Sequence, residues 1–111
     1  MAEGNFHPGT LEMLVLKTLT LGPLHGYAIA QHIQRLSNDV LRVEHGSLYP
    51  ALERLLGAGL VTAKWKQSPT GRKARYYTIT RSGRKKLGEE IAEFDAITFA
   101  IARVLGREGN S

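Results

Sequence analysis

A chain of 111 residues, 42% of them hydrophobic and with a formal net charge of +5, has the size of one domain with a small core. It has no cysteine, which excludes a disulfide framework, a thiolate zinc site and a thiol nucleophile, and fits a reducing cytoplasm. No run of about 18 apolar residues occurs, so no segment is expected to span a membrane, and the opening MAEGNFHPG has neither signal-peptide nor lipidation character.

The charge is unevenly placed. Residues 61–86 hold nine Lys/Arg and no Asp/Glu, whereas residues 1–60 and 87–111 each carry more acids than bases. Basicity confined to one segment points to an anionic partner, a nucleic acid or an acidic surface. The bland alternative is a solvated face.

Residues 1–8 read as a flexible lead-in. Thr10 is placed to cap a first helix, with Glu12 in the first turn where the helix dipole favours an acid. Leu11, Leu14, Val15, Leu16 and Leu19 make its apolar stripe. Gly22-Pro23 stops it, because the residue before proline avoids the helical region. A second helix is expected from about Gly26 to Leu36, with Ile29, Ile33 and Leu36 inward and Ala30 beside them. Ser37-Asn38-Asp39 breaks it, and Val40–Val43 fits no single element.

Glu44–Leu60, EHGSLYPALERLLGAGL, predicts the third helix. Ser47 can cap it, Pro50 then falls in the first turn, and Gly57 and Gly59 end it. At about 100° per residue, Leu48, Leu52, Leu55, Leu56 and Leu60 share one side, and Ser47, Pro50, Glu53, Arg54 and Gly57 the other. That outer face is small and nearly flat, as suits a helix seated in the major groove of DNA.

After Gly59 the period changes from about 3.6 to about 2. Val61, Ala63 and Trp65 alternate with Thr62, Lys64 and Lys66, a half-buried strand with a basic outer face. Gln67–Lys73 carries turn signals. Arg75–Thr80 is a second strand, with Tyr77 and Ile79 inward and Arg75, Tyr76 and Thr78 towards the other side, to within one register. Thr80 then caps a last helix from Arg81 to about Leu105. Leu87, Ile91, Phe94, Thr98, Ile101 and Leu105 follow heptad spacing, with Ile97 alongside. This seam predicts self-association; the alternative is packing on the chain's own first helix, and both can hold.

The expected fold is therefore mainly α with a small two-stranded β-wing: a winged helix-turn-helix over residues 9–80, a C-terminal dimerisation helix over 81–106, and a frayed tail at 107–111. In that architecture the third helix enters the major groove. Ser47 can bond a base or phosphate, Pro50 can touch a thymine methyl, and Arg54 can reach a phosphate or a guanine or is simply a solvated surface charge. Tyr49 suits a phosphate or wedges the turn between helices. Glu53 reads a cytosine amine or pairs with a neighbouring arginine. Arg72, Lys73 and Arg75 can approach the minor groove or backbone, Gly71 lets that turn come close, and Lys64 and Lys66 add salt-sensitive attraction. Trp65, Tyr76 and Tyr77 are core residues or line a small-molecule pocket.

Four stretches in order resemble the PadR-like family of transcriptional regulators: Gly9-Thr-Leu-Glu-Met-Leu-Val-Leu, Gly22-Pro-Leu-His-Gly-Tyr-Ala-Ile, Gly46-Ser-Leu-Tyr-Pro-Ala-Leu-Glu-Arg-Leu with Gly59-Leu-Val, and Gly71-Arg-Lys-Ala-Arg-Tyr-Tyr-Thr-Ile-Thr with Gly83. The single last helix is similar to the compact subgroup. The resemblance implies a dimeric DNA-binding protein, in most members a repressor, acting on an inverted-repeat promoter operator, and in some members released by a small aromatic effector. It implies DNA contacts by Ser47, Tyr49 and Pro50, by Tyr27 near the backbone, and by Gly71, Arg72 and Lys73. Compact members with drug pockets carry a tryptophan on the dimerisation helix. Here Trp65 is on the wing, leaving Phe94 and Phe99 as the last helix's aromatics for an effector. The expected location is the cytoplasm, on the nucleoid when DNA-bound.

His7, His25, His32 and His45 show no metal-ligand spacing, and no phosphate loop or activated nucleophile is visible. No cofactor or catalytic activity is expected. His25 caps or packs at the turn before the second helix. The rival from another class is a winged helix that holds a protein partner through its basic wing.

Overall fold

The computed structural model describes residues 7–107; the rest of the expected lead-in and tail, 1–6 and 108–111, lie outside them. Four helices and three short strands follow in the order α1 (Pro8–Leu19), β1 (Leu24–His25), α2 (Gly26–Leu36), α3 (His45–Gly57), β2 (Val61–Gln67), β3 (Lys73–Ile79) and α4 (Arg81–Val104). None of these helices is long and apolar enough to cross a membrane.

Helix α1 starts two residues before the expected cap. The His7 imidazole accepts from the Gly9 amide at 3.0 Å, and Pro8 occupies the first helical position, where its fixed φ is preset and its missing N–H costs nothing. Glu12 therefore lies beyond the first turn. Helix α2 spans the expected residues, and His25 caps it by accepting from the Ala28 amide at 3.2 Å. Leu36, expected inward, is 69% exposed. Periodicity assigns it to the face of Ile29 and Ile33, but at the helix end no neighbour covers that face.

The sheet has three strands, not two, in the order β1-β3-β2, all antiparallel. Leu24 and His25 pair with Tyr77 and Tyr76. A two-residue strand has no period, so the sequence carries no signal for it. Val61 pairs with Ile79, Ala63 with Tyr77 and Trp65 with Arg75. Arg75 therefore lies on the face of Tyr77, not on that of Tyr76. Trp65 keeps the inward parity but is 64% exposed, because the hairpin outruns the core beyond Ala63.

The core joins Val15, Leu16 and Leu19 of α1, Ile29 and Ile33 of α2, Leu48, Ala51, Leu52 and Leu55 of α3, and Val61, Tyr77 and Ile79 of the sheet. Each large aliphatic side chain removed from water there is worth about 1.5–3 kcal/mol. Thr80 caps α4 as expected: its hydroxyl accepts from the Gly83 amide at 3.0 Å and donates to the Gly59 carbonyl at 2.8 Å. Leu87 is buried in this same core and Ile91 packs against it. Leu87, expected in the self-association seam, therefore packs within its own chain. From Phe94 onward Ile97, Thr98, Phe99, Ile101 and Leu105 are exposed. The first half of α4 serves the protomer, and the second half projects from it.

Candidate nucleic-acid interface

Helix α3 begins at His45, because the amides of Ser47 and Leu48 both reach the Glu44 carbonyl, at 3.0 and 2.8 Å. Ser47 is thus inside the first turn and does not cap. Pro50 sits inside the helix, past its first turn. It cannot donate to the Gly46 carbonyl, and Gly46 is exposed, so water can take that carbonyl instead. Leu48, Ala51, Leu52 and Leu55 are buried. Ser47, Pro50, Glu53, Arg54 and Gly57 are all exposed, as the periodicity predicts.

Three other contacts fix how this helix is held. The Arg54 guanidinium is ion-paired with Glu12 of α1, so it ties α3 to α1. Arg75 on β3 reaches the Glu53 carboxylate at 3.3 Å, a pairing the sequence offered for Glu53. Tyr49, 41% exposed, stacks edge-on against His45, with ring centroids 5.5 Å apart. Its hydroxyl lies over Gly26, where an added Cβ would come within 2.6 Å. Tyr49 therefore does wedge α3 against the start of α2, with part of its ring still open to solvent.

The wing turn runs from Ser68 to Arg72. The Ser68 amide donates to the Arg72 carbonyl at 2.7 Å and the Gly71 amide to the Ser68 carbonyl at 2.9 Å. Gln67 donates through its side-chain amide to the Gly71 carbonyl at 3.0 Å. Gly71 has φ +89°, a left-handed conformation that a Cβ would strain. Arg72 and Lys73 are exposed, and among the described residues neither forms an ion pair. Lys66 lies over the Tyr76 ring, 4.6 Å from its centroid. Tyr76 in turn meets His25 edge-on at 5.2 Å. Lys64 is exposed on the same strand.

The start of α2 and the wing turn face each other across an open cleft of about 590 Å³, lined among others by Gly26, Tyr27, Tyr49, Arg72 and Lys73. Tyr27 is 58% exposed and accepts from the Gln31 side-chain amide at 3.0 Å. Of the expected DNA-contacting residues, the fold gathers Tyr27, Tyr49, Arg72 and Lys73 around this cleft. It sets Ser47 and Pro50 on the open face of α3. It engages Arg54, Arg75 and Lys66 with partners on the protein itself. Sequence reasoning missed the Glu12–Arg54 tie; it offered the wedge by Tyr49, but not Gly26 as the surface it packs on.

The expected effector aromatics are not brought together. Phe94 lines a groove of about 370 Å³ between α1 and α4, with Met13, Glu90, Glu93 and Ile97, whereas Trp65 and Phe99 are not part of it. Burial raises the Tyr77 phenol above its ordinary value of 10.0, against the opposing pull of the Arg75 charge. Among the described residues no group of three or more His, Asp or Glu side chains could hold a metal ion.

Residues 15–89 match the profile of the Transcriptional regulator PadR-like family. A PadR family transcriptional regulator from Eggerthella lenta DSM 2243 superposes with a TM-score of 0.73 at 31% identity, over 87% of this chain and 82% of the other. A PadR-like transcriptional regulator from Bacillus cereus strain ATCC 14579 gives 0.74 at 27% identity, over 87% and 92%. The Negative transcriptional regulator PadR of Bacillus subtilis (strain 168) is 29% identical over 77 residues, which span 69% of this chain and 42% of that protein.

Proposed function

Since this chain belongs to the PadR-like family of transcriptional regulators and is not an enzyme, we propose that it is a homodimeric repressor that binds duplex DNA at an inverted-repeat operator. One observation carries the reading. The outer face of α3 is exposed, with few long side chains, while Leu48, Ala51, Leu52 and Leu55 on the opposite face are buried. Such a helix can lie deep in a major groove. The cations Arg72 and Lys73 share a cleft with Tyr49, which suits phosphates flanking that groove. The exposed apolar half of α4, from Phe94 to Leu105, supports self-association by a two-fold seam, and half-sites would then lie about one helical turn apart. Release by a small aromatic effector has a candidate seat in the groove beside Phe94.

The test is fluorescence anisotropy with duplex DNA from upstream of the chain's own gene and a scrambled duplex, at two salt concentrations. Tighter, salt-sensitive binding to the native duplex is expected. Absence of salt-sensitive binding to either duplex refutes the DNA-binding reading.

A further inference from the structure

At about 100° per residue, the ridge of α3 directly opposite the buried Leu48, Ala51, Leu52 and Leu55 consists of Gly46, Pro50, Glu53 and Gly57. All four are exposed. Gly46, Pro50 and Gly57 have no side chain that can hydrogen-bond. Ser47 and Arg54 sit on one flank, where Arg54 is held by Glu12 of α1. Tyr49 sits on the other flank, over Gly26. Glu53 is therefore the single hydrogen-bonding side chain on the ridge that would go deepest into a groove.

A lone carboxylate there is costly beside phosphates. The fold answers that cost locally. Arg75 of β3 places a guanidinium nitrogen 3.3 Å from the Glu53 carboxylate, and both side chains keep solvent access, at 38% and 64%. The guanidinium also lies 5.8 Å from the Tyr77 ring centroid, so it is seated on a buried aromatic and does not float. An Arg fork leaves further donors free, and a carboxylate has several lone-pair sites, so the pair can hold its geometry and still bond a third group.

Resting on the DNA-binding reading above, we propose that Glu53 is a specificity-determining residue: its carboxylate accepts a hydrogen bond from the exocyclic amine of a cytosine, and Arg75 is the positioning residue that aims it. In the major groove cytosine N4 is a donor with no acceptor on its own base edge. The adenine amine lies beside N7, an acceptor that repels a carboxylate, and guanine and thymine present only acceptors there. An acid on the ridge thus favours one base, whereas the wing cations favour none.

The experiment is selection from a randomised duplex pool by the full chain, followed by sequencing, for wild type, Glu53→Gln and Arg75→Ala. Wild type should enrich a site with cytosine at one symmetry-related position in each half. Glu53→Gln should lose roughly tenfold or more of the discrimination at that position and keep the others. Arg75→Ala should blur the same position. An unchanged base preference in Glu53→Gln overturns the proposal, as does a uniform change in affinity at every position. Arg75→Ala that weakens all positions equally removes Arg75 from the positioning role. Failure of wild type to enrich any sequence would sink the sequence-specific reading itself, an outcome distinct from enrichment that ignores Glu53. Both residues are exposed, and circular dichroism on each variant checks that the fold persists.

Discussion

Gly83, at the start of α4, faces the carbonyl oxygen of Leu60 so closely that an added Cβ would lie 2.2 Å from it. The same carbonyl accepts from the Thr80 amide at 3.0 Å, so this oxygen is the point where the last helix is pinned to the end of the α3–β2 turn. Backbone cannot step aside as a side-chain tip can. Gly83→Ala is expected to cost about 1–3 kcal/mol in urea unfolding, as overpacking does. Gly88, on the same helix, has nothing within 4 Å of such a Cβ. Gly88→Ala should stabilise by about 0.5–1 kcal/mol through helix propensity. Equal effects at the two positions would show that the Leu60 contact does not hold in solution.

The wing cations make a prediction about salt. Arg72 and Lys73 are exposed and without ion pairs among the described residues, so both can release counterions from DNA. Replacing both with Ala should weaken binding to all duplexes and flatten the log–log salt slope by about 2. A slope that does not move places the wing outside the interface.

Self-association is expected to depend on the projecting half of α4. Ile97 and Ile101 are each 52% exposed, so charges there leave the protomer core intact. Ile97→Asp with Ile101→Asp should sediment as a folded monomer. A dimer that survives puts the seam elsewhere.

Alkaline stability should report on Tyr77. Burial raises its folded-state value above 10.0. The phenolate is then tolerated less in the folded chain than in the unfolded one. The stability contribution is complete below the unfolded value and is lost as pH rises through it towards the folded value. Tyr77→Phe should therefore lose less stability than wild type between about pH 9 and about pH 11. Parallel curves for the two proteins would contradict that.

Local signals in the chain were strong where one short stretch decides the outcome. The Thr80 cap, the extent of α2, the left-handed Gly71 and the exposed face of α3 follow from periodicity, capping chemistry and glycine's freedom, all of which act over a few residues. Ser47 and Thr10 show the limit of such signals: both have cap chemistry, yet His7 caps α1 through its imidazole and α3 begins after Glu44 with no side-chain cap bond at all.

What the sequence by itself determined is the helical repertoire, the apolar face of each helix, the basic wing and the family. Only the tertiary structure decided which faces find a partner. Arg54 and Glu12 lie 42 residues apart in the chain, and Glu53 and Arg75 lie 22 apart. No periodicity links such pairs, so charge alone left Arg54 and Arg75 equally free for DNA. Leu87 and Phe94 share one heptad seam, yet one is 7% and the other 45% exposed. A helix carries its apolar stripe along its whole length, but the core it meets has a finite edge, and that edge exists only once the other elements have packed.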